Sequence, residues 1–222
     1  MGEAPGFTAE SFGFLEELAA NNNREWYKAH RDRHRDALEM PFARMLGAAS
    51  EALSEDGVEL SGGKRTMFRL QRDTRFSEDK TPYKTSVSGM LTPSGEKREA
   101  YGVVYAQIDA AGGFMAAGYH ALTPKRLEPI RRRILEEDAA FRDMLGGLEA
   151  AGFPLDRTNA LTAMPRGFQD EKDHPLADYV KLKSFLIRED LEREVWMSGE
   201  VVDRMVRTAR AALPLLAFGW VR

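Results

Sequence analysis

Between Arg69 and Thr85 the chain reads RLQRDTRFSEDKTPYKT, and eight of the sixteen residues from Arg69 to Lys84 are charged, five cations and three anions. Phe76, Pro82 and Tyr83 are set among them. Charges withdrawn from water must be paired or hydrogen-bonded, so this mixture is expected to form a fixed, partly buried polar site. Arg72, Arg75, Lys80, Tyr83 and Lys84 are the residues of this stretch that would hold a phosphate or carboxylate. Arginine offers a planar fork for two-point contact and lysine a movable point charge. Asp73 and Asp79 would orient the cations or hold Mg2+. The same residues also fit a structural network, in which aspartate fixes arginine and ties a long loop to a sheet without any ligand.

A second group lies about 90 residues further on. Met164-Pro165-Arg166-Gly167-Phe168 reads as a rigid turn presenting Arg166, and Lys181 and Lys183 follow. Spaced two apart, these lysines share a face on a strand but not on a helix. Arg166 and Lys183 are expected to converge with the first cluster, since a pocket gathers its polar groups. Asp73 and, in Asp173-His174-Pro175, His174 are the candidates for acid–base work. A histidine before proline is equally a turn or capping residue. His30 and His34 have the i, i+4 spacing of a zinc-binding helix, but Arg31 and Arg33 lie between them and would oppose a dication. A solvated helix face is the better expectation, and no metal site or cofactor is called for.

Other patterns fall short. Ser61-Gly62-Gly63-Lys64-Arg65-Thr66 lacks the spacing of a phosphate loop, and no G-x-S-x-G elbow occurs. Tyr101, Tyr105, Phe114 and Tyr119 are aromatic residues of the kind that stack bases on a sheet, though a core face uses the same residues. Net charge is −3, so nothing global recruits nucleic acid or an anionic membrane. The absence of cysteine excludes disulfides and thiolate chemistry and suits a reducing cytoplasm. The opening MGEAPGFTAESF has no signal-peptide pattern, and no apolar run approaches a membrane span.

The elements that must position these residues are legible from periodicity. Helices are predicted over Ala9–Ala20, from Arg24 onward after Asn21-Asn22-Asn23, and through Phe42, Met45, Leu46, Ala49 and Leu53 beyond a kink or fresh first turn at Pro41. Strand candidates are Thr66–Leu70, Thr85–Leu91, Tyr101–Ile108 and Phe114–His120, the last three joined by short turns into an antiparallel meander. Thr123-Pro124 opens another helix, and Phe141, Met144, Leu145 and Leu148 mark one more. Ala177–Lys183 is read as helical, Phe185–Arg188 as a further strand, and Val201–Leu213 as a last helix halted by Pro214. Helices from both ends of the chain around a central antiparallel meander sheet make a single α+β domain over 1–222.

In this order FLEELAANNNREWYKAHR, RDTRFSEDKTPYKT, GGFMAAGYH, MPRGF and HPLADYVKLKSF resemble the bacterial and fungal family called domain of unknown function 2461, a set of conserved hypothetical proteins. The resemblance runs from about Phe12 to Phe218. The shared polar positions it implies are Asn22, Asn23, Trp26, Arg72, Asp73, Arg75, Phe76, Asp79, Lys80, Pro82, Tyr83, Lys84, Arg166, Gly167, His174, Lys181 and Lys183. It carries no activity. The function expected from the residues is binding of a small anionic or phosphorylated ligand in a basic pocket. The alternatives are a protein or nucleic-acid interaction module using the same cationic loop, and a metal-dependent hydrolase built from Asp73, Asp79 and His174.

Overall fold

The computed structural model describes residues 6–98 and 102–219. The protein is α+β. Its sheet is an antiparallel meander of β1 (Ser86–Leu91), β2 (Val103–Asp109), β3 (Gly112–Tyr119) and β4 (Phe185–Glu192), hydrogen-bonded in that order, with helices packed on it. The expected meander is present, extended by the strand begun at Phe185. Tyr101 lies outside the described residues. The chain divides into two compact units, one of residues 1–99, 104–115 and 190–207 and the other of 100–103, 116–189 and 208–222.

The first unit starts with α1 (Ala9–Ala20), which buries Phe12, Phe14, Leu15 and Leu18 and leaves Ala19 exposed. A short α2 (Arg24–Ala29) follows, and the Asn23 side chain caps it by accepting from the Trp26 N–H at 2.9 Å. Next come α3 (Arg31–His34), a π-helical turn over Arg35–Glu39, and α4 (Met40–Glu55). Pro41 explains the π turn. It has no N–H to give the carbonyl four residues back, and its ring crowds that carbonyl, so the preceding turn widens. The carbonyl concerned, of Ala37, instead accepts the Ser11 hydroxyl at 2.6 Å, which ties α1 to the bulge.

Phe42, Met45, Leu46, Ala49 and Leu53 of α4 are fully buried, as their spacing predicts, and α4 packs on β1. The approach is close. A Cβ on Gly89 would stand 2.8 Å from Leu46 Cδ1 and 3.1 Å from Phe42 Cε1, so a larger residue in this strand would push the helix away. The register runs from Ser86 opposite Asp109 to Leu91 opposite Val104. Val104, Ala106 and Ile108 of β2 are buried and alternate with half-buried neighbours. Asp109 shapes the turn into β3 by accepting from the Ala111 N–H at 2.9 Å.

The strand expected over Thr66–Leu70 is replaced by a 3-10 turn at Lys64–Thr66 and isolated bridges, Met67 to Gly89 and Gln71 to Tyr83. The segment splits its backbone bonds between two partners. Phe68 N–H donates to Ser88 O at 2.8 Å, whereas Leu70 O accepts from Lys84 N–H and Pro82 O from Arg72 N–H, both at 2.9 Å.

In the second unit α5 (Pro124–Glu136) has Thr123 as N-cap residue, and α6 (Asp138–Ala150) buries Phe141, Met144 and Leu148. The helix read over Ala177–Lys183 is one turn, α7 (Ala177–Val180). After β4 come α8 (Arg193–Ser198) and α9 (Val201–Gly219). The expected stop at Pro214 is overturned. Pro214 is exposed, so the Arg210 carbonyl it cannot reach lies on the solvent side, while Ala212, Leu215 and Phe218 stay buried and carry the helix onward. Among the described residues no helix is long and apolar enough to cross a membrane.

Candidate functional site

Two features of the first unit adjoin one another: the charged loop 72–82 and a cleft of about 480 Å3. Within the loop, the cations are engaged by its own oxygens. Arg72 bonds Asp79 and Thr81, and Arg75 takes Asp73 in a two-point bridge at 2.9 and 2.7 Å. Lys80 Nζ donates to Thr74 O at 3.0 Å. Asp79 also accepts the Thr81 N–H and hydroxyl at 2.9 and 2.8 Å. The Arg72 bond, helped by Thr81, holds the Asp79 carboxyl down at about 2, and the Arg75 bridge lowers that of Asp73. The expected pairing of arginine with aspartate is therefore complete on both sides, as a structural network requires. Phe76 at the loop tip is 95% exposed beside Arg75.

The loop is anchored by Asn22. Its side-chain oxygen accepts the Tyr83 N–H at 3.1 Å and its amide donates to Tyr83 O at 2.9 Å, which imitates a strand partner. Asn22→Ala would leave both half-buried backbone groups unpaired. We expect a loss of about 1–3 kcal/mol in urea unfolding and faster proteolysis within 72–82.

The Tyr83 ring in turn packs at a tilt on that of Tyr27, 4.3 Å between centroids, and Tyr27 lines the cleft. Around it stand Lys28, Arg31, Lys64, Arg69 and Lys97, with one carboxylate, Glu39, over a floor that includes Met67, Leu70 and Val87. Lys64 is paired with Glu39 at 2.6 Å, and Lys97 Nζ donates to Met67 O at 2.9 Å. Lys28, Arg31 and Arg69 form no ion pair with another described residue. The contrast along one short segment is decisive. Arg33 is taken up by Glu10 and Glu17, and Arg35 by Asp32 and Asp36, all at 2.8 Å, whereas Arg31, which lines the cleft, has no carboxylate partner among the described residues. Lys84 stands 5.6 Å from the ring of Phe68, a cleft residue. Burial, reinforced by the nearby Arg69 charge, lowers its pKa.

His34 also lines the cleft, and here the structure corrects the sequence reading. It is 7% exposed rather than solvated, because its ring packs against the Phe14 ring of α1, 5.5 Å away. Its Nδ1 shares a hydrogen bond of 3.2 Å with the Tyr27 hydroxyl, and its Nε2, sealed from solvent, has no hydrogen-bond partner among the described residues. Burial lowers its pKa against the opposing influence of Glu39. His30 instead stacks on Trp26 and bonds Trp26 O through Nδ1 at 2.7 Å.

The sign of the His34 effect on stability follows directly. The unfolded imidazole takes its proton near pH 6.5 while the folded one resists, so the folded state binds fewer protons there. Stability is expected to fall as pH drops below about 6.5. His34→Gln should flatten that part of the curve in urea midpoints measured from pH 8 to 5.5.

In the second unit Arg166 is exposed on the turn closed by Phe168 N–H to Pro165 O at 3.1 Å, with Gly167 at φ 85°. Lys183 is exposed, and its N–H donates to Asn159 O at 2.9 Å. Lys181 is paired with Asp178. His174 Nδ1 accepts the Leu176 N–H at 3.1 Å, with Asp138 3.8 Å from Nε2, so this ring serves the turn before α7. Among the described residues no group of three His, Asp or Glu is placed to hold a metal ion.

The cleft residues missing from the sequence reading had one usable signal. Tyr27, Arg31 and His34 recur at i, i+4 and i+7, a single helical face. Arg69 opens the charged stretch but was not singled out within it, and Lys64 and Lys97 had no signal for the cleft, because only folding brings them to it.

Neither a curated protein nor a solved structure matches the chain. A family model does, over residues 10–218, described as a conserved hypothetical protein, DUF2461, and the chain belongs to that family.

Proposed function

We propose that the protein binds a small anionic, phosphorylated ligand in the cationic cleft of its first unit, in a cytoplasmic setting that its cysteine-free sequence suits. The observation that carries this reading is the surplus of charge: five cations against one carboxylate around about 480 Å3, with three of the cations lacking a carboxylate partner among the described residues. Clefts of a few hundred Å3 with an apolar floor and a few convergent polar groups are the usual form of small-molecule sites. Arg31 and Arg69 supply the forks, and Lys28 and Lys97 supply point charges. Arg72, Arg75 and Lys80 hold the loop in shape, and the loop holds Tyr83 and Lys84 against the cleft wall. Arg166 and Lys183 belong to the other unit, and their part in binding is read by Arg166→Ala in the same assay.

The test is calorimetric titration with inorganic phosphate and pyrophosphate at low and high salt. We expect saturable binding that weakens with salt, because exposed charges are screened. Arg69→Ala should cost roughly tenfold. Binding that is absent, or indifferent to Arg69, rejects the reading.

A second reading, an interaction module for protein or nucleic acid, is favoured by Phe76 alone, whose ring is held out to solvent beside Arg75. It requires that Phe76→Ser lower partner binding while phosphate binding is unchanged.

A further inference from the structure

The proposed function uses the cations of the cleft but leaves the aromatic residues beside it without a role. α4 packs on the face of β1 that carries Gly89, and Ala106 of β2, opposite Gly89, is buried on that side. The other face presents Ser88 opposite Gln107 and Met90 opposite Tyr105. There Tyr105 and Gln107 are only half-buried, and so are Phe68 beside β1 and Phe114 in β3. The Phe68 and Tyr105 rings lie 6.1 Å apart and those of Tyr105 and Phe114 5.7 Å apart, tilted by 53° and 35°. They form a row of three rings, not one stacked block. Tyr119, by contrast, is 5% exposed and gives its hydroxyl to Leu216 O at 2.6 Å, so it belongs to the core. Phe68 is also part of the cleft lining, so the row and the cleft share a wall. Lys84 Nζ stands 5.6 Å from the Phe68 ring and forms no ion pair with another described residue.

We propose that the ligand is a short single strand of nucleic acid, its phosphates on the cations of the cleft and its bases on the row Phe68–Tyr105–Phe114. The proposal rests on the cleft reading above and extends it from one phosphate to several. Three observations choose this occupant. Partly exposed aromatic rings beside a cationic groove are how proteins hold single strands without reading sequence, because every base has a π face. A row of three rings is longer than one base, so a mononucleotide would leave part of it unused. The charge is complementary and local. Lys28, Arg31 and Arg69 lack carboxylate partners among the described residues, and Lys84 lies at the shared wall. The acidic residue on that face of β2, Asp109, stands at the end of the strand, where it holds the turn through the Ala111 N–H. The net charge of −3 recruits nothing from a distance, so affinity comes from these contacts and not from long-range attraction.

Calorimetric titrations compare inorganic phosphate, thymidine monophosphate and the thymidine trinucleotide on wild type, Tyr105→Leu, Tyr105→Phe and Arg69→Ala. Circular dichroism and thermal melts confirm that each variant is folded. Tyr105 is the informative position because it belongs to the row and not to the cleft lining. The trinucleotide should bind wild type at least about tenfold more tightly than the monophosphate. Tyr105→Leu, which keeps the apolar bulk and removes the ring, should weaken the trinucleotide about tenfold and move inorganic phosphate less than about twofold. Tyr105→Phe, which keeps the ring, should retain most of the affinity. Arg69→Ala should weaken all three ligands. A trinucleotide that binds no better than the monophosphate, or that ignores Tyr105→Leu while Arg69→Ala still weakens it, would mean that the row is packing only, and the cleft reading stands. Equal losses from Tyr105→Leu and Tyr105→Phe overturn stacking as well. Trinucleotide binding that ignores Arg69→Ala puts the phosphates elsewhere and rejects both readings. If no ligand binds wild type, both fall, and binding of a proline-rich peptide, the other chemistry that aromatic rows accept, would then assign the face to a peptide.

Discussion

Replacing Arg31 and Arg69 together by glutamate is expected to remove phosphate binding, with an affinity loss of at least about a hundredfold. Each charge-assisted hydrogen bond contributes roughly 1.5–3 kcal/mol, and the reversal adds repulsion at short range. The fold should survive. Both side chains are exposed and form no ion pair with another described residue, and surface changes of that kind usually stay within about 0.5 kcal/mol. Arg65→Glu is the control for one such reversal, to be set beside Arg69→Glu alone. It makes the same charge change as that single variant, one residue from Lys64, but does not line the cleft, and at physiological salt it should cost less than about threefold. An equal loss in the control would mean that diffuse charge, not a built cleft, attracts the anion.

The largest effect on stability is expected from Phe42→Ala. The ring is fully buried, lies edge-on to Phe7 at 6.3 Å and stacks against Trp196 at 6.2 Å. It also closes over the bare Cα of Gly89 in β1. Its removal leaves a cavity where helix and strand meet, at a cost of about 3–5 kcal/mol, read from urea unfolding. A loss below about 1 kcal/mol would mean that α4 does not pack on β1 as described.

The meander and the long helices were legible because their signals are local. Val104, Ala106 and Ile108 alternate, and Phe42, Met45, Leu46, Ala49 and Leu53 repeat at helical spacing, so each stretch states its own buried face. Pro41 was correctly marked as a disturbance, but its consequence was not readable. The widened turn is tied to Ser11, 26 residues away, whose hydroxyl takes the Ala37 carbonyl, and the burial of His34 depends on Phe14 of the same helix α1, also remote from it in sequence. Pro214 misled for the opposite reason. Its local penalty is real, but it falls on the exposed side of a helix whose buried side continues through Leu215 and Phe218. The charged block 69–85 was recognised from composition, and composition cannot say which cations are already paired. In the structure Arg72 and Arg75 are tied to Asp79 and Asp73, whereas Arg69, the first residue of the block, and Lys28 and Arg31, far from it in sequence, form no ion pair with another described residue. What drew attention to the block is the rigidity it needs to brace Tyr83 against Tyr27.

The central claim is that the anion-binding surface is the cleft and not the loop. Nuclear magnetic resonance titration of the isotope-labelled protein with inorganic phosphate tests it most directly, because it locates the ligand and gives its affinity together. Saturable shifts are expected at Lys28, Arg31, Arg69 and Lys97, with one dissociation constant, and small changes from Arg72 to Lys80, whose ion pairs are already closed. Saturable shifts confined to residues 72–80, or shifts that rise linearly without saturation across the surface, would contradict it.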